Sequence, residues 1–401
     1  MKYIIILGDG MADTPVPELG NKTPLQCAHK SHMDYIVKRS EVGMVRTVPE
    51  GMPPGSDVAN LSVMGYDPHK YYTGRSPLEA TSMGINLDKT DVAFRCNLVT
   101  LSGEENYEEK TMIDYSSDEI TSSEAELLIR EVQKHLNSEK FSFYPGISYR
   151  HCMVWHDGPE GLELVPPHDI LDKTIGEYLP SGDAGKVLLE MMKKSYDLLK
   201  DHPVNKERMR KGLRPANSIW LWGEGKKPAL TSFHQTYGLK GSVISAVDLV
   251  KGLGICAGLK AVEVQGATGN INTNFKGKAE AALQELKSGQ DFVYIHIEAP
   301  DECGHRHEID NKVKSIELID QLILGTLLEG LNEYEDYKIM ILPDHPTPLA
   351  IRTHTSDPVP YMIYQKKREI ESPAKSYDEF EAAKTGLFIE KGHELMSHFI
   401  G

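Results

Sequence analysis

Residues 2–7 read KYIIIL, an uninterrupted apolar run that leads at once into Gly8 and Asp9. A run without polar alternation is typical of a strand buried on both faces in a parallel sheet. Two later runs have the same character, FVYIHIE at 292–298 and YKIMIL at 337–342. These three segments predict the central strands of an α/β core.

Helix-like segments alternate with the strands. SVISAVDLVKGL at 242–253 predicts one helix, KAEAALQELKSG at 278–289 a second, and KVKSIELIDQLILGTLLEGL at 312–331 a long amphipathic one. Alternation of this kind favours a mostly parallel sheet with helices on both faces, a three-layer α/β/α fold.

The middle of the chain reads differently. Strand-like segments at 94–101 and 141–155 are separated by helical ones, which indicates a smaller α+β domain. We therefore expect residues 91–215 to be inserted into a discontinuous core formed by residues 1–90 and 216–401.

Composition excludes several classes of protein. The net charge of −15 argues against a nucleic-acid partner, which calls for a basic face. No run of about eighteen apolar residues exists, so no membrane span is expected. The apolar start is too short for a signal peptide, and the five cysteines form no CxxC. Together these features favour a cytoplasmic protein.

Acidic and imidazole side chains follow the predicted strands. Because open α/β sheets bind ligands at the carboxyl ends of their strands, we expect these side chains to lie together. A mixture of carboxylate and imidazole suits Mn²⁺, Zn²⁺, Co²⁺ or Mg²⁺ better than Ca²⁺, and six groups are enough for two ions. The candidate ligands are Asp9, Asp301, His305, Asp344, His345 and His354.

The stretch PPGSDVANLSVM, residues 53–64, places Ser56 after a turn and before a helix-like run. Ser56 could be an ordinary helix N-cap or a nucleophile. A serine hydroxyl needs a neighbouring base or a metal to become nucleophilic, and no histidine lies nearby in sequence. Both readings remain open from the residues alone.

The motifs ILGDGM, GSDVANLS, APDECGH, PDH and RTHTSDPVP together resemble the cofactor-independent phosphoglycerate mutases, specifically their shorter archaeal-type branch, within the alkaline phosphatase superfamily. The resemblance implies an alkaline-phosphatase-like core and interconversion of 3- and 2-phosphoglycerate in glycolysis through a phosphoserine at Ser56. It also implies two divalent ions, Mn²⁺ first among them, and no bisphosphoglycerate. One ion would be held by Asp9, Ser56, Asp344 and His345, and the other by Asp301, His305 and His354.

The resemblance further implies a cation for the transition state and an inserted domain that grips the substrate and acts as a lid. TNFKGKA supplies Lys276 and Lys278, of which we prefer Lys278. The candidate substrate-binding residues are Arg95, Asn97, Arg150, His151 and Arg214, with Arg75 of TGRSPLEA as a weaker one.

Two rival functions remain at this stage. The first is a two-metal phosphotransferase acting on another small alcohol, such as a homoserine kinase or a phosphopentomutase-like enzyme, although no P-loop or kinase signature is present. The second is a catalytically silent metal-binding protein. A small-molecule substrate is expected in the first case, and the sequence does not predict the oligomeric state.

Overall fold

The apolar run at the start of the chain forms strand β1 (Lys2–Gly8) near the middle of an eight-stranded sheet in the computed structural model, which describes all 401 residues. Its two neighbours are the other predicted strands, Phe292–Ile297 and Tyr337–Leu342, and both run parallel to it. Parallel neighbours end at the same edge of a sheet. The polar residues that follow the three strands are therefore delivered to one edge.

The chain forms thirteen strands and sixteen α-helices. The strands are β1 Lys2–Gly8, β2 Glu41–Val45, β3 Val92–Leu101, β4 Met112–Asp114, β5 Phe141–Ile147, β6 Arg150–Trp155, β7 Ser218–Lys226, β8 Gly241–Ile244, β9 Lys260–Val262, β10 Phe292–Ile297, β11 Tyr337–Leu342, β12 Val359–Gln365 and β13 Phe388–Ile389. The helices are α1 Pro24–Cys27, α2 Ser31–Ile36, α3 Ser56–Val63, α4 Pro68–Tyr71, α5 Ser76–Ser82, α6 Ser122–Leu136, α7 Gly182–Leu199, α8 Pro203–Arg210, α9 Phe233–Tyr237, α10 Asp248–Cys256, α11 Phe275–Lys287, α12 Ala299–His305, α13 Ile309–Leu318, α14 Gly325–Gly330, α15 Glu379–Lys384 and α16 Leu395–Ile400.

Two compact units divide the chain, one made of residues 1–72 and 229–401 and the other of residues 73–228. The sequence predicts a shorter second unit, residues 91–215, inserted into a core of residues 1–90 and 216–401. The second unit is longer at both ends because α5 packs on β3 and β7, and β7 is itself a strand of the second sheet.

The first unit holds the large sheet, in the order β13-β2-β12-β11-β1-β10-β8-β9, with only β12 antiparallel to its neighbours. Successive side chains of a strand point to opposite faces. Ile4 and Ile6 join α2, α11, α13 and α14 in one buried cluster. On the opposite face Tyr3 contacts Phe399 of α16, and Gly254 of α10 lies against Val243. Helices therefore cover both faces, and the predicted fold class is confirmed.

Two predicted helices of this unit differ from the structure. The segment 242–253 is not one helix, because its first residues form the buried strand β8 and the helix α10 begins only at Asp248. The segment 312–331 is helical almost throughout, as predicted, but α13 and α14 are joined by a π-helical stretch, Ile319–Leu324.

The second unit is built on the five strands β3–β7, all of which pair antiparallel, with β3 between β6 and β7. Helices α6 and α7 cover one face of this sheet, where Phe94, Leu98 and Ile219 are buried. No helix in either unit is long and apolar enough to cross a membrane.

We expect Ile6→Ala in β1 to lower the free energy of unfolding by about 2–5 kcal/mol, because Ile6 is fully buried and the change leaves a cavity in the core. The shift of the urea unfolding midpoint measures this loss. Ile370→Ala is the matched control, since Ile370 is 46% exposed, and it should change stability by less than about 0.5 kcal/mol. Equal shifts for the two variants would contradict the central placement of β1.

Candidate active site and metal centre

Three buried carboxylates meet where β1, β10 and β11 end. Asp9 follows β1, Asp344 follows β11, and Asp301 lies in α12 directly after β10. They are 2%, 0% and 6% exposed. The backbone N–H of Gly10 donates to Asp344 Oδ1 over 3.1 Å. Gly10 has a φ of +60°, and a Cβ there would lie 2.7 Å from Asp301 Oδ1, so only glycine allows this close approach.

One group of candidate ligands consists of Asp301, His305 and His354. The Nε2 atoms of the two histidines are 2.9 Å apart. Asp301 Oδ2 lies 3.3 Å from His305 Nε2, and Asp301 Oδ1 lies 3.2 Å from His354 Nε2. The donor atoms therefore converge on one point, as the ligands of a single ion would.

Backbone carbonyls orient both imidazoles of this group. His305 Nδ1 lies 2.9 Å from the carbonyl of Arg352, and His354 Nδ1 lies 3.1 Å from that of Pro54. A carbonyl only accepts, so each Nδ1 carries a proton and each Nε2 is the atom left to bind a cation. The hydrogen bond with Asp301 raises the pKa of His305 to about 9, so without metal a proton takes the place of the cation.

The second group surrounds Ser56. Its Oγ lies 3.1 Å from His345 Nε2 and 3.4 Å from Asp9 Oδ2. His345 Nε2 is 3.5 Å from both Asp9 Oδ1 and Asp344 Oδ2. His345 Nδ1 faces the hydroxyl of Thr347, which itself donates to Asp301. The imidazole of His345 thus also presents Nε2 to the site.

Charge balance tests whether these groups fit divalent cations. Burial raises the pKa of Asp9 well above its usual range, and the nearby Asp344 and Asp301 carboxylates raise it further. Asp9 Oδ1 is buried without any hydrogen-bond partner. An orphaned carboxylate oxygen among like charges is costly unless a cation binds there. The donor set of oxygen and imidazole nitrogen fits Mn²⁺, Zn²⁺, Co²⁺ or Mg²⁺.

Ser56 is the first residue of α3, not its N-cap. Gly55 occupies the cap position and makes no side-chain cap hydrogen bond. The hydroxyl of Ser56 is therefore not engaged in capping and faces Asp9 and His345 instead. Asn60, one turn later, donates from Nδ2 to the Ser56 carbonyl and to Asp344 Oδ2, each over 2.8 Å.

His296 is a site residue that the motifs did not single out. It is fully buried on β10, with Nε2 2.9 Å from Asp9 Oδ2, and burial lowers its pKa to about 3. The available signal was a lone imidazole in an otherwise apolar strand, which needs a buried polar partner. Lys278 on α11 is also buried, and its Nζ donates to the carbonyl of His296 over 2.9 Å. Burial lowers the pKa of Lys278 to about 8, against the opposing charge of Glu298.

In the second unit, three of the predicted substrate-binding residues share one face of the sheet. Arg95 and Asn97 are two residues apart on β3, and Asn97 pairs in register with Arg150 of β6. Arg95 contacts Glu79 at 3.0 Å and lies 4.5 Å from the ring of Trp222. Burial lowers the pKa of Arg95, Glu79 raises it, and the positive charges of Arg75 and Arg150 lower it again. The face therefore carries a local excess of positive charge.

Two of the remaining predicted residues, His151 and Arg214, lie elsewhere in that unit. His151 follows Arg150 on β6, so it points to the opposite face, where it is 5% exposed and accepts a hydrogen bond from Gly146 N–H at Nδ1. Arg214 pairs with Asp114 at 3.0 Å and with Asp118 at 3.6 Å. Neither side chain joins the arginine face.

Comparison with known proteins agrees with this geometry. The family model described as 2,3-bisphosphoglycerate-independent phosphoglycerate mutase matches residues 37–205. A protein of Geobacter sulfurreducens, named a probable 2,3-bisphosphoglycerate-independent phosphoglycerate mutase, is 50% identical over 396 residues, which cover 99% of this chain and 98% of that protein. The chain belongs to the family of 2,3-bisphosphoglycerate-independent phosphoglycerate mutases. The family predicted from the motifs is thus confirmed.

Other members of this family and their structures are also similar. The 2,3-bisphosphoglycerate-independent phosphoglycerate mutase of Methanosarcina barkeri is 48% identical over 399 residues, covering 99% of this chain and 98% of its own. The structure of the cofactor-independent phosphoglycerate mutase from Thermoplasma acidophilum matches with a TM-score of 0.69 and 26% identity, covering 100% of this chain and 99% of that chain. A Pyrococcus horikoshii protein structure matches with a TM-score of 0.84 and 29% identity, covering 100% and 96%.

We expect Asp9→Asn to stabilise the metal-free protein at pH 7. A carboxyl whose folded-state pKa is raised stabilises the fold below its unfolded pKa, and that contribution is lost as the pH rises through the folded value. The melting temperature should rise by at least about 3 °C, since 1 kcal/mol corresponds to roughly 2–4 °C in a unit of this size. Addition of Mn²⁺ should raise the melting temperature of the parent protein. The rise for the variant should be at most about a third as large. A metal-free variant that melts below the parent protein would contradict the repulsion among these buried carboxylates.

Proposed function

We propose that this chain is a phosphoglycerate mutase that interconverts 3-phosphoglycerate and 2-phosphoglycerate, with Ser56 carrying the phosphoryl group between the two hydroxyls. The single observation that supports this most is the position of Ser56 Oγ, which lies 3.1 Å from His345 Nε2 and 3.4 Å from Oδ2 of Asp9, the carboxylate whose other oxygen is buried without a partner. Relatives of 50% and 48% identity over nearly the whole chain carry the name of that activity.

Two divalent ions complete the proposed site. Asp9, Ser56, Asp344 and His345 would hold one, and Asp301, His305 and His354 the other. Mn²⁺ is our first choice for both, with Zn²⁺, Co²⁺ and Mg²⁺ as alternatives, and bisphosphoglycerate is not required. When bound, such ions lower the pKa of a coordinated hydroxyl and neutralise phosphate oxygens.

In the first half of the proposed reaction, Ser56 Oγ loses its proton and forms a bond to phosphorus, while the bond from phosphorus to the substrate's 3-oxygen breaks. That oxygen takes up a proton, and glycerate stays bound. In the second half the 2-oxygen loses its proton and forms a bond to phosphorus, while the bond from phosphorus to Ser56 Oγ breaks and Oγ takes up a proton. Because hydrolysis of the intermediate would release phosphate, water has to be excluded between the two halves.

Two groups of cations suit the substrate's negative charges. Lys278, whose pKa of about 8 follows from burial, is the side chain we assign to the transition-state charge in the first unit. In the second unit we assign Arg95, Asn97 and Arg150 to the substrate carboxylate or phosphate, with Arg75 beside them, and the unit to the role of a lid. A guanidinium fork matches both kinds of anion. We place the enzyme in the cytoplasm and in glycolysis or gluconeogenesis.

We expect Ser56→Ala to abolish mutase turnover, lowering kcat by at least about 10⁴-fold, because the phosphoryl acceptor is gone. The assay supplies 3-phosphoglycerate and Mn²⁺ without bisphosphoglycerate and detects 2-phosphoglycerate through added enolase. Mass spectrometry of the quenched parent enzyme should show a phosphate on Ser56, and the variant should show none.

Ser31→Ala is the matched control, since Ser31 is likewise the first residue of a helix in the same unit and is exposed. It should retain full activity. Mutase turnover by the Ser56 variant would rule out the seryl route. Release of inorganic phosphate would indicate a hydrolase, and consumption of ATP with homoserine a kinase.

Arg150 and Arg214, two arginines with different surroundings, test the proposed substrate-binding role of the second unit. Arg150 is exposed and its guanidinium lies 5.2 Å from the ring of Tyr149, whereas Arg214 is committed to Asp114 and Asp118. We expect Arg150→Gln to raise the KM for 3-phosphoglycerate by about 10–100-fold, the effect of losing one charge-assisted contact. Arg214→Gln should leave KM within about threefold. The reverse order in steady-state kinetics would overturn this assignment.

A further inference from the structure

His296 differs from His305 and His354, two of the proposed histidine ligands, in the partner of its Nδ1 atom. His305 and His354 direct Nδ1 at backbone carbonyls, which leaves Nε2 free for an ion. His296 directs Nδ1 at the hydroxyl of Ser245, 3.1 Å away. A hydroxyl can donate as well as accept, so the same ring can adopt the opposite tautomer here.

The contact with Asp9 decides which tautomer is present. Asp9 has to be ionised to bind a cation, and His296 Nε2 lies 2.9 Å from its Oδ2, a distance at which an unprotonated nitrogen would face that carboxylate oxygen lone pair to lone pair. Nε2 therefore carries the proton and donates it. In the neutral ring Nδ1 then accepts from Ser245 Oγ, while the same oxygen accepts the Val247 N–H over 2.9 Å.

This chain of hydrogen bonds differentiates the two oxygens of Asp9. Oδ2 is occupied by His296 and approached by Ser56, whereas Oδ1 is the atom without a partner. We propose that His296, which donates from Nε2 to Asp9 while its Nδ1 accepts from Ser245, is a positioning residue that holds Asp9 so that Oδ1 stays available to the ion bound beside Ser56. This inference rests on the metal centre of the proposed function.

A second side chain on β10, that of Tyr294, orients the carboxylate of Asp344 in a similar way. Tyr294 precedes His296 by two residues on β10, so both point to the same face. Its hydroxyl donates to Asn60 Oδ1 over 2.7 Å, which turns Asn60 Nδ2 toward Asp344 Oδ2 at 2.8 Å. The face of β10 toward the site thus orients both Asp9 and Asp344 through neutral hydrogen-bond donors.

The test measures Mn²⁺ binding to the metal-free protein by titration calorimetry, with no substrate present. The parent should bind two ions. His296→Leu should weaken the ion beside Ser56 by about 10–100-fold, the usual cost of removing an outer hydrogen-bond partner, and leave the Asp301 site unchanged. His296→Gln, whose amide can donate from the position of Nε2, should restore affinity to within about fivefold of the parent.

Ser245→Ala keeps the imidazole but removes the hydroxyl from which its Nδ1 accepts a hydrogen bond. We expect it to weaken the same ion by severalfold. In ¹⁵N spectra of histidine-labelled protein, the resonance absent from His296→Gln should show the Nε2–H form, and Ser245→Ala should shift it. These two readouts carry the test even if His296→Leu does not fold.

His398→Leu is the matched control, because His398 also pairs with a carboxylate, Glu41, at 2.6 Å on helix α16. It should leave both affinities unchanged. Equal affinity in His296→Leu and the parent, or an Nδ1–H signature for His296, would overturn the positioning role while leaving the metal centre intact. A parent protein that binds no ion beside Ser56 would overturn the metal centre itself, and the role of His296 with it.

Discussion

The mutual repulsion of three buried carboxylates is the constraint around which the first unit is organised. Asp9, Asp301 and Asp344 are at most 6% exposed, and the pKa of Asp9 is raised by burial and by the two others. Such a cluster is unfavourable without cations, so it persists because the surrounding fold overdetermines it. The strand order fixes most of the placement of these carboxylates, because β1 lies between β10 and β11 and all three strands end at one edge. Gly10 supplies the rest, because its missing Cβ lets the chain turn against Asp301.

Much of this arrangement could be predicted from local sequence patterns. An apolar run followed at once by an acidic residue marks a strand end in a parallel sheet, and parallel strand ends meet. That pattern predicts that Asp9, Asp301, His305, Asp344, His345 and His354 lie together, and the structure places their donor atoms in three overlapping groups that share Asp9 or Asp301. The wrong helix at 242–253 had a physical cause. A short buried strand and the start of a helix are both apolar, and only the first three residues of this segment belong to β8.

The unpredicted part of the site depends on partners far away in sequence. His296 and Asn60 act through Asp9 and Asp344, and no spacing rule links residues that are separated by more than two hundred positions. The sequence indicated these two residues only by placing a polar side chain at a position where a buried apolar one is expected. His151 could have been separated from Arg150 by the alternation of a strand, since neighbours point to opposite faces. The commitment of Arg214 to Asp114 needed the folded second unit, because the two residues belong to different elements.

The interruption of the first unit by residues 73–228 has a consequence for the order of assembly during synthesis. The second unit is one continuous segment, so all its strands exist once residue 228 has been made. Strand β1, by contrast, has no neighbour in its own sheet until Phe292 and Tyr337 have followed. Domains fold as they emerge from the ribosome, so the second unit folds first. Until the later strands are made, the backbone of β1 has no partner strand for its hydrogen bonds. The proposed metal centre is therefore among the last features of the nascent chain to form, because the group of Asp301, His305 and His354 is incomplete until His354 has been translated.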